Sequence, residues 1–196
     1  MDELLALDKE IFVYLNNLGS VPFDDIWKII TNQIYWTPMF ILVFYYIQKK
    51  IGIKQLFLII VFLALLITFT DQITNLFKNA FQRLRPCNDP EIKNVIRIVI
   101  ERESPSFFSG HAANSMASTF FIYLIIKKYY NHTYLLFLFP LIFAYSRIYL
   151  GLHFPLDILS GYVFGLITGF CFYKLYNYFY FKYNFQKVFK KTRSKD

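Results

Sequence analysis

The run LFLIIVFLALLITFT at residues 56–70 decides which kind of fold this chain adopts. It contains no charged side chain, and helical character is expected to continue through Asp71 to Lys78. A segment of this length and composition meets the requirement of roughly 20 apolar residues for an α-helix that crosses a bilayer. We therefore predict a membrane-spanning helix with a charged last turn.

The composition of the whole chain is also that of a membrane protein. Of the 196 residues, 56% are hydrophobic and 21% are aromatic, and the mean hydropathy is positive. These values are untypical of a soluble domain. The formal charge of +8 arises from short basic clusters between apolar runs and at the C-terminus. Such clusters mark cytoplasmic loops, so nucleic acid is not expected as a partner.

Further spans are predicted on both sides of the first run, at residues 27–48, 109–132, 133–150 and 155–180. Residues 1–20 are predicted to form an amphipathic N-terminal helix on the membrane surface. Residues 79–108 are interpreted as a polar extracytoplasmic loop, and residues 182–196 as a basic cytoplasmic tail. The predicted fold is a single all-α domain over residues 1–196, a polytopic membrane helical bundle of five to six helices. The sixth is counted if the N-terminal helix crosses the membrane.

The basic segments at residues 49–54, at residues 127–132 and in the tail all fall on one side of a five-span topology. The positive-inside rule makes that side cytoplasmic. The polar loop and several charged helix ends then lie together at the opposite, outer face. These outer-face candidates are Lys78, Arg85, Ser109, Gly110, His111, Arg147, His153 and Asp157.

Cations, histidines and helix N-termini at one depth predict a pocket that attracts a phosphate group. Lys78, Arg85 and Arg147 are expected to hold the nonbridging phosphate oxygens. Ser109 and the backbone N–H of Gly110 would add neutral hydrogen bonds.

The two histidines and the carboxylate suit phosphoryl transfer. His153 can attack phosphorus as a neutral imidazole, and Asp157 would fix its tautomer. His111 would protonate the leaving oxygen as a general acid. Because the site has few other histidines or carboxylates, a zinc site is the weaker interpretation.

Other polar residues are given simpler interpretations. His132 lies in a lysine-rich loop on the opposite side and is expected to be solvated. Asp71 either supports the basic cluster or makes an ordinary hydrogen bond between helices. The remaining arginines of the polar loop are interpreted as surface charges, namely Arg83, Arg97 and Arg102.

The residues in these positions resemble the motifs of the type 2 phosphatidic acid phosphatases, the membrane branch of a superfamily that includes acid phosphatases and vanadium haloperoxidases. The first motif, K-x6-R-P, matches Lys78, Arg85 and Pro86. The third, S-R-x5-H-x3-D, matches Ser146, Arg147, His153 and Asp157. The second is usually P-S-G-H and reads Phe108, Ser109, Gly110, His111 here, so a phenylalanine replaces the proline. Three motifs in the right order make chance similarity improbable.

This resemblance implies a helical-bundle core, a phosphohistidine intermediate on His153, general acid catalysis by His111, and no required metal or other cofactor. It also implies a multi-pass protein of the bacterial cytoplasmic membrane, with an active site that faces the extracytoplasmic side. The implied partner is a lipid phosphate in the bilayer. Candidate substrates are undecaprenyl pyrophosphate, phosphatidylglycerol phosphate, phosphatidic acid and the phosphates of lipid A.

Two alternatives to a lipid phosphatase remain open at the level of sequence. A phosphotransferase would use the same histidine and pass the phosphoryl group to an acceptor other than water. A noncatalytic protein would use the basic pocket only to bind or transport anionic lipid. Recognition alone does not require the His153 and Asp157 pair, so the enzyme is the favoured hypothesis.

Overall fold

The computed structural model describes the backbone of residues 2–193 and the side chains of residues 2–182. Over this part of the chain the structure is helical and has no β-strand. Its α-helices are α1 (Asp2–Asn17), α2 (Asp24–Ile30), α3 (Thr37–Ile51), α4 (Ile53–Phe81), α5 (Gly110–Ile126), α6 (Leu138–Tyr149) and α7 (Pro155–Arg193). Short 3₁₀ turns lie at Val21–Phe23, Gln33–Trp36, Pro86–Asn88 and Thr133–Phe137.

The seven α-helices of this part of the chain confirm the all-α prediction and correct the predicted count of five to six. The prediction of one continuous helix at residues 27–48 is wrong, because α2 ends at Ile30 and α3 begins only at Thr37. The side chain of Asn32 accepts a hydrogen bond from the backbone N–H of Ile34 at 3.1 Å. Such a local side-chain bond competes with the helical pattern and favours a turn.

Within the described part of the chain, two helices are long and apolar enough to cross a membrane, α4 and α7. They cover the spans predicted at residues 55–78 and 155–180. With 15 and 12 residues, α3 and α6 are shorter than an independent span of roughly 20 residues. Five full crossings therefore stay a prediction. The predicted basic tail, residues 182–196, lies mostly outside the described residues. Its side chains are not described beyond residue 182, and its backbone is not described beyond residue 193.

Helix α5 is central and packs along α7 and against α4 and α6. The contact with α7 is unusually close: a Cβ atom added to Gly165 would lie 2.6 Å from the carbonyl oxygen of Ala113, and one added to Gly161 would lie 2.7 Å from that of Ser109. Small residues at this spacing let two helix backbones approach each other. The N-terminal ends of α5 and α7 are thereby brought side by side.

Helix α1 is fixed to the end of the bundle that carries the polar loop by a fully buried asparagine. The Asn16 Nδ2 group donates to the carbonyl oxygens of Arg97, Ile148 and Tyr149, and its Oδ1 accepts from the Arg97 N–H at 2.7 Å. The buried face of α1 consists of Asp8, Phe12 and Asn16. Every polar atom of the Asn16 side chain therefore links α1 to the polar loop or to the end of α6.

Candidate active site

The site is organised by the turn between α6 and α7. Gly151 has a φ of 84°, a backbone conformation that favours glycine. The turn is closed by hydrogen bonds from the N–H groups of Leu152 and His153 to the carbonyl oxygen of Arg147, at 2.9 and 3.3 Å. This geometry places the His153 side chain inside the protein, where it is 1% exposed.

His153 contacts a cation through one ring nitrogen and a carboxylate through the other. Its Nε2 lies 3.0 Å from an Arg85 guanidinium nitrogen, and its Nδ1 lies 3.4 Å from the Asp157 Oδ2. Because a guanidinium can only donate, Nε2 must be the acceptor in this contact. The proton of the neutral imidazole then resides on Nδ1, which faces Asp157.

The charge state of His153 follows from its surroundings. Burial, together with the positive charges of Arg85 and Arg147, lowers the pKa of the His153 imidazole well below its ordinary value of 6.5. Burial disfavours the charged form of the ring, and nearby cations act in the same direction. A neutral His153 with a free electron pair on Nε2 is therefore the stable form at neutral pH.

Arg85 is held by a set of acceptors that leaves little freedom. Its guanidinium donates to the carbonyl oxygens of Ser104, Pro105 and Leu152 and to the Ser104 hydroxyl, at distances from 2.6 to 3.3 Å. The side chain is 3% exposed. Its planar fork is thus fixed against the His153 ring from the polar loop.

The start of α5 contributes Ser109, Gly110 and His111 to the site. Ser109 is the N-cap residue, and its Oγ accepts a hydrogen bond from the Ala112 N–H at 3.4 Å. The Ser109 N–H donates to the carbonyl oxygen of Asp157 at 3.0 Å. Gly110 begins the helix, and the His111 ring stacks on Phe143 of α6 with centroids 5.0 Å apart.

Phe108, which replaces the usual proline of the second motif, is buried in the same region. Its ring packs against Phe77 of α4 and Phe164 of α7, at centroid distances of 5.2 and 5.0 Å. The substitution therefore adds aromatic packing between two helices just before the Ser109 cap.

The remaining cations come from α6 and α4. Arg147 is 3% exposed and donates to the Thr31 hydroxyl at 2.6 Å. Its Nε has no hydrogen-bond partner among the residues with described side chains. Lys78, in the last turn of α4, lies within electrostatic range of Arg85, Arg147 and Asp157. A buried donor that lacks an acceptor, beside two further positive charges, makes this a region suited to an anion.

All eight predicted site residues thus lie at the same end of the bundle. Direct hydrogen bonds or close ring contacts join Arg85, His153, Asp157 and Ser109. His111 lies within electrostatic range of Lys78, Arg147 and His153. The catalytic and binding roles assigned to these residues stay predictions.

Sequence reasoning missed three contacts to the site. Arg83, interpreted as a surface charge, instead donates to Asp157 and to Asp8 at 2.7 Å each. Thr31, assigned to the interior of a span, contacts Arg147 from the turn after α2. The sequence did contain one indication that α1 packs against the site. Asp8 and Asn16 are each four residues from Phe12, so these two polar residues share a helical face with a large apolar one.

Of the other polar residues interpreted from the sequence, some lie where predicted and some do not. Arg97 is also wrongly assigned as a surface charge, because it pairs with Asp24 at 2.8 Å and both side chains are about one-fifth exposed. The hydrogen bond from Arg97 lowers the pKa of the Asp24 carboxyl below its ordinary value. His132 is exposed, as predicted. Arg102 is exposed too, but it lies within electrostatic range of Lys78, His111 and Arg147. Asp71 accepts a hydrogen bond from Asn114 of α5 at 2.5 Å, so it makes a bond between helices.

The fold and the site together define a membrane-embedded helical protein that surrounds a neutral histidine with cations and a carboxylate. A family model described as the PAP2 superfamily matches residues 57–181. The chain therefore belongs to the PAP2 superfamily and is an enzyme of the phosphatase class.

Individual relatives agree with this membership. The chain is 33% identical to a lipid A 4′-phosphatase of Bacteroides thetaiotaomicron, over 88% of this chain and 79% of the relative. It is 29% identical to a lipid A 4′-phosphatase of Porphyromonas gingivalis, over 91% of this chain and 76% of the relative.

Solved structures share the fold. A transmembrane PAP2 type phosphatidylglycerolphosphate phosphatase from Bacillus subtilis matches with a TM-score of 0.68 at 18% identity, covering 89% of this chain and 87% of that one. LpxE from Aquifex aeolicus matches with a TM-score of 0.58 at 23% identity, covering 84% of this chain and 93% of that one. At these identities the likeness establishes a common fold.

Proposed function

We propose that this protein is a lipid A phosphatase that hydrolyses the 4′-phosphomonoester of lipid A in the membrane. The observation that carries the substrate assignment is the 33% identity over 88% of the chain to a protein described as a lipid A 4′-phosphatase. The buried His153, which combines an acceptor nitrogen with adjacent cations, supports phosphoryl transfer as the chemistry.

In the first step of the proposed mechanism, the Nε2 atom of His153 attacks the phosphorus atom. A nitrogen–phosphorus bond forms as the bond between phosphorus and the lipid oxygen breaks. His111, protonated when the anionic phosphate is bound, donates its proton to that oxygen and becomes neutral. The cationic side chains of Lys78, Arg85 and Arg147 hold the nonbridging oxygens, which carry the charge of the transition state.

In the second step, water attacks the phosphohistidine and His111 accepts its proton. The nitrogen–phosphorus bond breaks, inorganic phosphate leaves, and His153 returns to its neutral form. Asp157 lies next to Nδ1 throughout and stabilises the positive charge that the ring carries while phosphorus is bound. The Arg85 Nη1 group now faces Nε2, so this one donor must exchange the His153 ring for a phosphate oxygen when substrate enters, while the bonds from Nε and Nη2 to the polar loop are kept.

We further propose that the single domain lies in the bacterial cytoplasmic membrane with the site at the extracytoplasmic face. The supporting observation is that His153, His111 and Arg85 all lie at the helix ends opposite the lysine-rich turn after α5. The substrate would then enter from the outer leaflet, with its phosphate at the interface.

The direct test is phosphate release from lipid A, phosphatidylglycerol phosphate, phosphatidic acid and undecaprenyl pyrophosphate by the purified protein in detergent, with a chelator present. We expect lipid A to be the preferred substrate, and mass spectrometry to show loss of the 4′-phosphate. Release to water rather than to an added acceptor alcohol separates hydrolysis from phosphotransfer. Preference for another lipid would overturn the substrate assignment.

The mechanism is tested by His153→Ala, which should reduce phosphate release by a factor on the order of 10⁴ or more, as expected for a nucleophile. The matched control is His132→Ala, because His132 is exposed at the opposite end of the bundle and its one side-chain hydrogen bond among the described residues is with Tyr134. Full activity in the His153 variant would sink the proposed phosphohistidine.

A further inference from the structure

Arg83 bridges two buried carboxylates that belong to opposite ends of the chain. One guanidinium nitrogen donates to Asp157 Oδ1 and the other to Asp8 Oδ2, each at 2.7 Å. The Arg83 side chain is 19% exposed, whereas those of Asp8 and Asp157 are 1% and 0% exposed. The guanidinium also lies over the Phe154 ring, 4.3 Å from its centroid. The Arg83 guanidinium is therefore held on one face by the Phe154 ring and along its N–H edge by the two carboxylates.

The second oxygen of each carboxylate binds the start of α7. Asp157 Oδ2 accepts from the Phe154 N–H at 2.9 Å, and Asp8 Oδ1 accepts from the Leu156 N–H at 2.8 Å. Phe154 directly precedes α7 and Leu156 lies in its first turn. The N–H groups at these positions have no acceptor within the helix itself. Two carboxylates at a helix N-terminus are also favoured by the helix dipole. Helix α1 thus helps to define the position of the turn that bears His153.

The charges of this cluster matter for the histidine. With both carboxylates ionised, two negative charges and one guanidinium give the cluster a net negative charge, and its Asp157 carboxylate lies 3.4 Å from His153 Nδ1. Without Asp8, the pair of Arg83 and Asp157 would be neutral. A neutral pair would stabilise the positive charge of a phosphorylated imidazole less well than a negative cluster does.

Resting on the proposed function, we propose that Arg83 and Asp8 are positioning residues for the phosphoryl transfer. Arg83 fixes Asp157 through Oδ1 so that Oδ2 faces the Nδ1 atom of His153. Asp8, from the N-terminal helix, fixes Arg83 and keeps the cluster negative. The N-terminal helix is accordingly part of the catalytic framework and is more than a membrane-surface anchor.

The test uses the full-length protein with Arg83→Gln, Arg83→Lys, Asp8→Asn and the double variant Asp8→Asn/Arg83→Gln. The matched control is Arg97→Gln, because Arg97 also lies in the polar loop and pairs with an aspartate of the N-terminal region at 2.8 Å. Single-turnover phosphate release from lipid A, with enzyme in excess, gives a rate constant that does not depend on the fraction of active enzyme. The apparent affinity for substrate is taken from its dependence on enzyme concentration.

We expect the single-turnover rate constant to fall about ten- to a hundredfold in Arg83→Gln, as for other changes that misplace a reacting group. Arg83→Lys should retain more activity, because it keeps the charge but not the fork. Asp8→Asn should lose about tenfold, and the double variant should lose less than the product of the two single losses. Substrate affinity should change by less than about threefold, since the proposed phosphate ligands are untouched.

Equal rate constants for Arg83→Gln and Arg97→Gln would overturn the proposal, even if Arg83→Gln lowers the yield of folded protein. If Arg83→Gln does not fold, Asp8→Asn decides the question, because the amide preserves the volume and an acceptor for the Leu156 N–H. Failure of the proposed function gives a different result, in which the wild-type protein releases no phosphate from lipid A.

Discussion

At the scale of single residues, the protonation of His153 is the property with the clearest consequence. A neutral imidazole is the reactive form in the proposed mechanism, and burial next to Arg85 and Arg147 lowers the pKa of this group. A histidine with a depressed pKa stays neutral until the pH falls below that lowered value. Loss of the nucleophile by protonation is thus postponed to acidic pH.

We predict that kcat/KM of the wild-type protein shows no acid limb near pH 6.5 that belongs to His153. Replacement of Arg85 by Gln removes a positive charge beside Nε2, which raises the pKa of His153. The acid limb of the Arg85→Gln profile should therefore move to higher pH, on a background of lower activity. The measurement is kcat/KM for phosphate release between pH 4 and pH 8.

Lys93→Gln is the control for this comparison, because Lys93 is an exposed cation of the same polar loop. Its profile should match that of the wild-type protein. An acid limb centred near pH 6.5 in the wild-type protein, unmoved by Arg85→Gln, would show that His153 is not held in the neutral form.

At the scale of elements, the contact between α5 and α7 positions the two sides of the site. His111 lies in the first turn of α5 and Asp157 in the first turn of α7. Gly161, Gly165 and Gly169 of α7 each approach the α5 backbone so closely that an added Cβ would lie 2.6 or 2.7 Å from a carbonyl oxygen. The separation of the helices is therefore set by residues that have no chemical role.

Gly165→Ala should destabilise the protein and lower its activity. An alanine in place of a helical glycine ordinarily gains about 0.5–1 kcal/mol from backbone entropy. Here the added methyl group meets backbone atoms, and overpacking of this kind costs about 1–3 kcal/mol. The overpacking term is larger, so the expected net effect is a lower midpoint of thermal unfolding in detergent, together with slower phosphate release.

The control for Gly165→Ala is Val163→Ala on the same helix, since Val163 is 58% exposed. A surface change of this kind is expected to alter stability by no more than about 0.5 kcal/mol. A Gly165→Ala protein that is as stable as the wild type would mean that the two helices separate at little cost.

At the scale of the whole molecule, the orientation in the membrane determines which leaflet supplies the substrate. Glu91 of the polar loop and Lys128 after α5 are exposed at opposite ends of the bundle. With Cys87 and Cys171 replaced by serine, Glu91→Cys should react with a membrane-impermeant maleimide in intact spheroplasts. Lys128→Cys should react only after the membrane is permeabilised, because basic loops remain cytoplasmic.

Both cysteine variants should retain phosphate release, which confirms that the labelled protein is folded. The reverse labelling pattern would place the site at the cytoplasmic face and contradict the proposed orientation. Labelling of both positions in intact spheroplasts would contradict the separation of the two ends by a bilayer.

The sequence alone was sufficient to predict those features that depend on residues close together in the chain. The uncharged run at residues 56–70 determined that α4 is long and apolar enough to cross the membrane. The spacing of His153 and Asp157 by four residues put the ring and the carboxylate on the same side of the start of α7. The order of the three motifs also identified the family, because each motif is a local pattern.

Only the tertiary structure decided which of the remaining charges belong to the site. Arg83 and Arg102 lie in the same irregular loop, which has no periodicity from which a buried face could be predicted. Arg83 reaches Asp8 across 75 residues of sequence, whereas the exposed Arg102 lies only within electrostatic range of Lys78 and His111. Local spacing was enough to predict the pair of His153 and Asp157. Contacts between distant segments depend on how the helices pack, so the contributions of Arg83 and Asp8 became visible only once the N-terminal helix was packed against the polar loop.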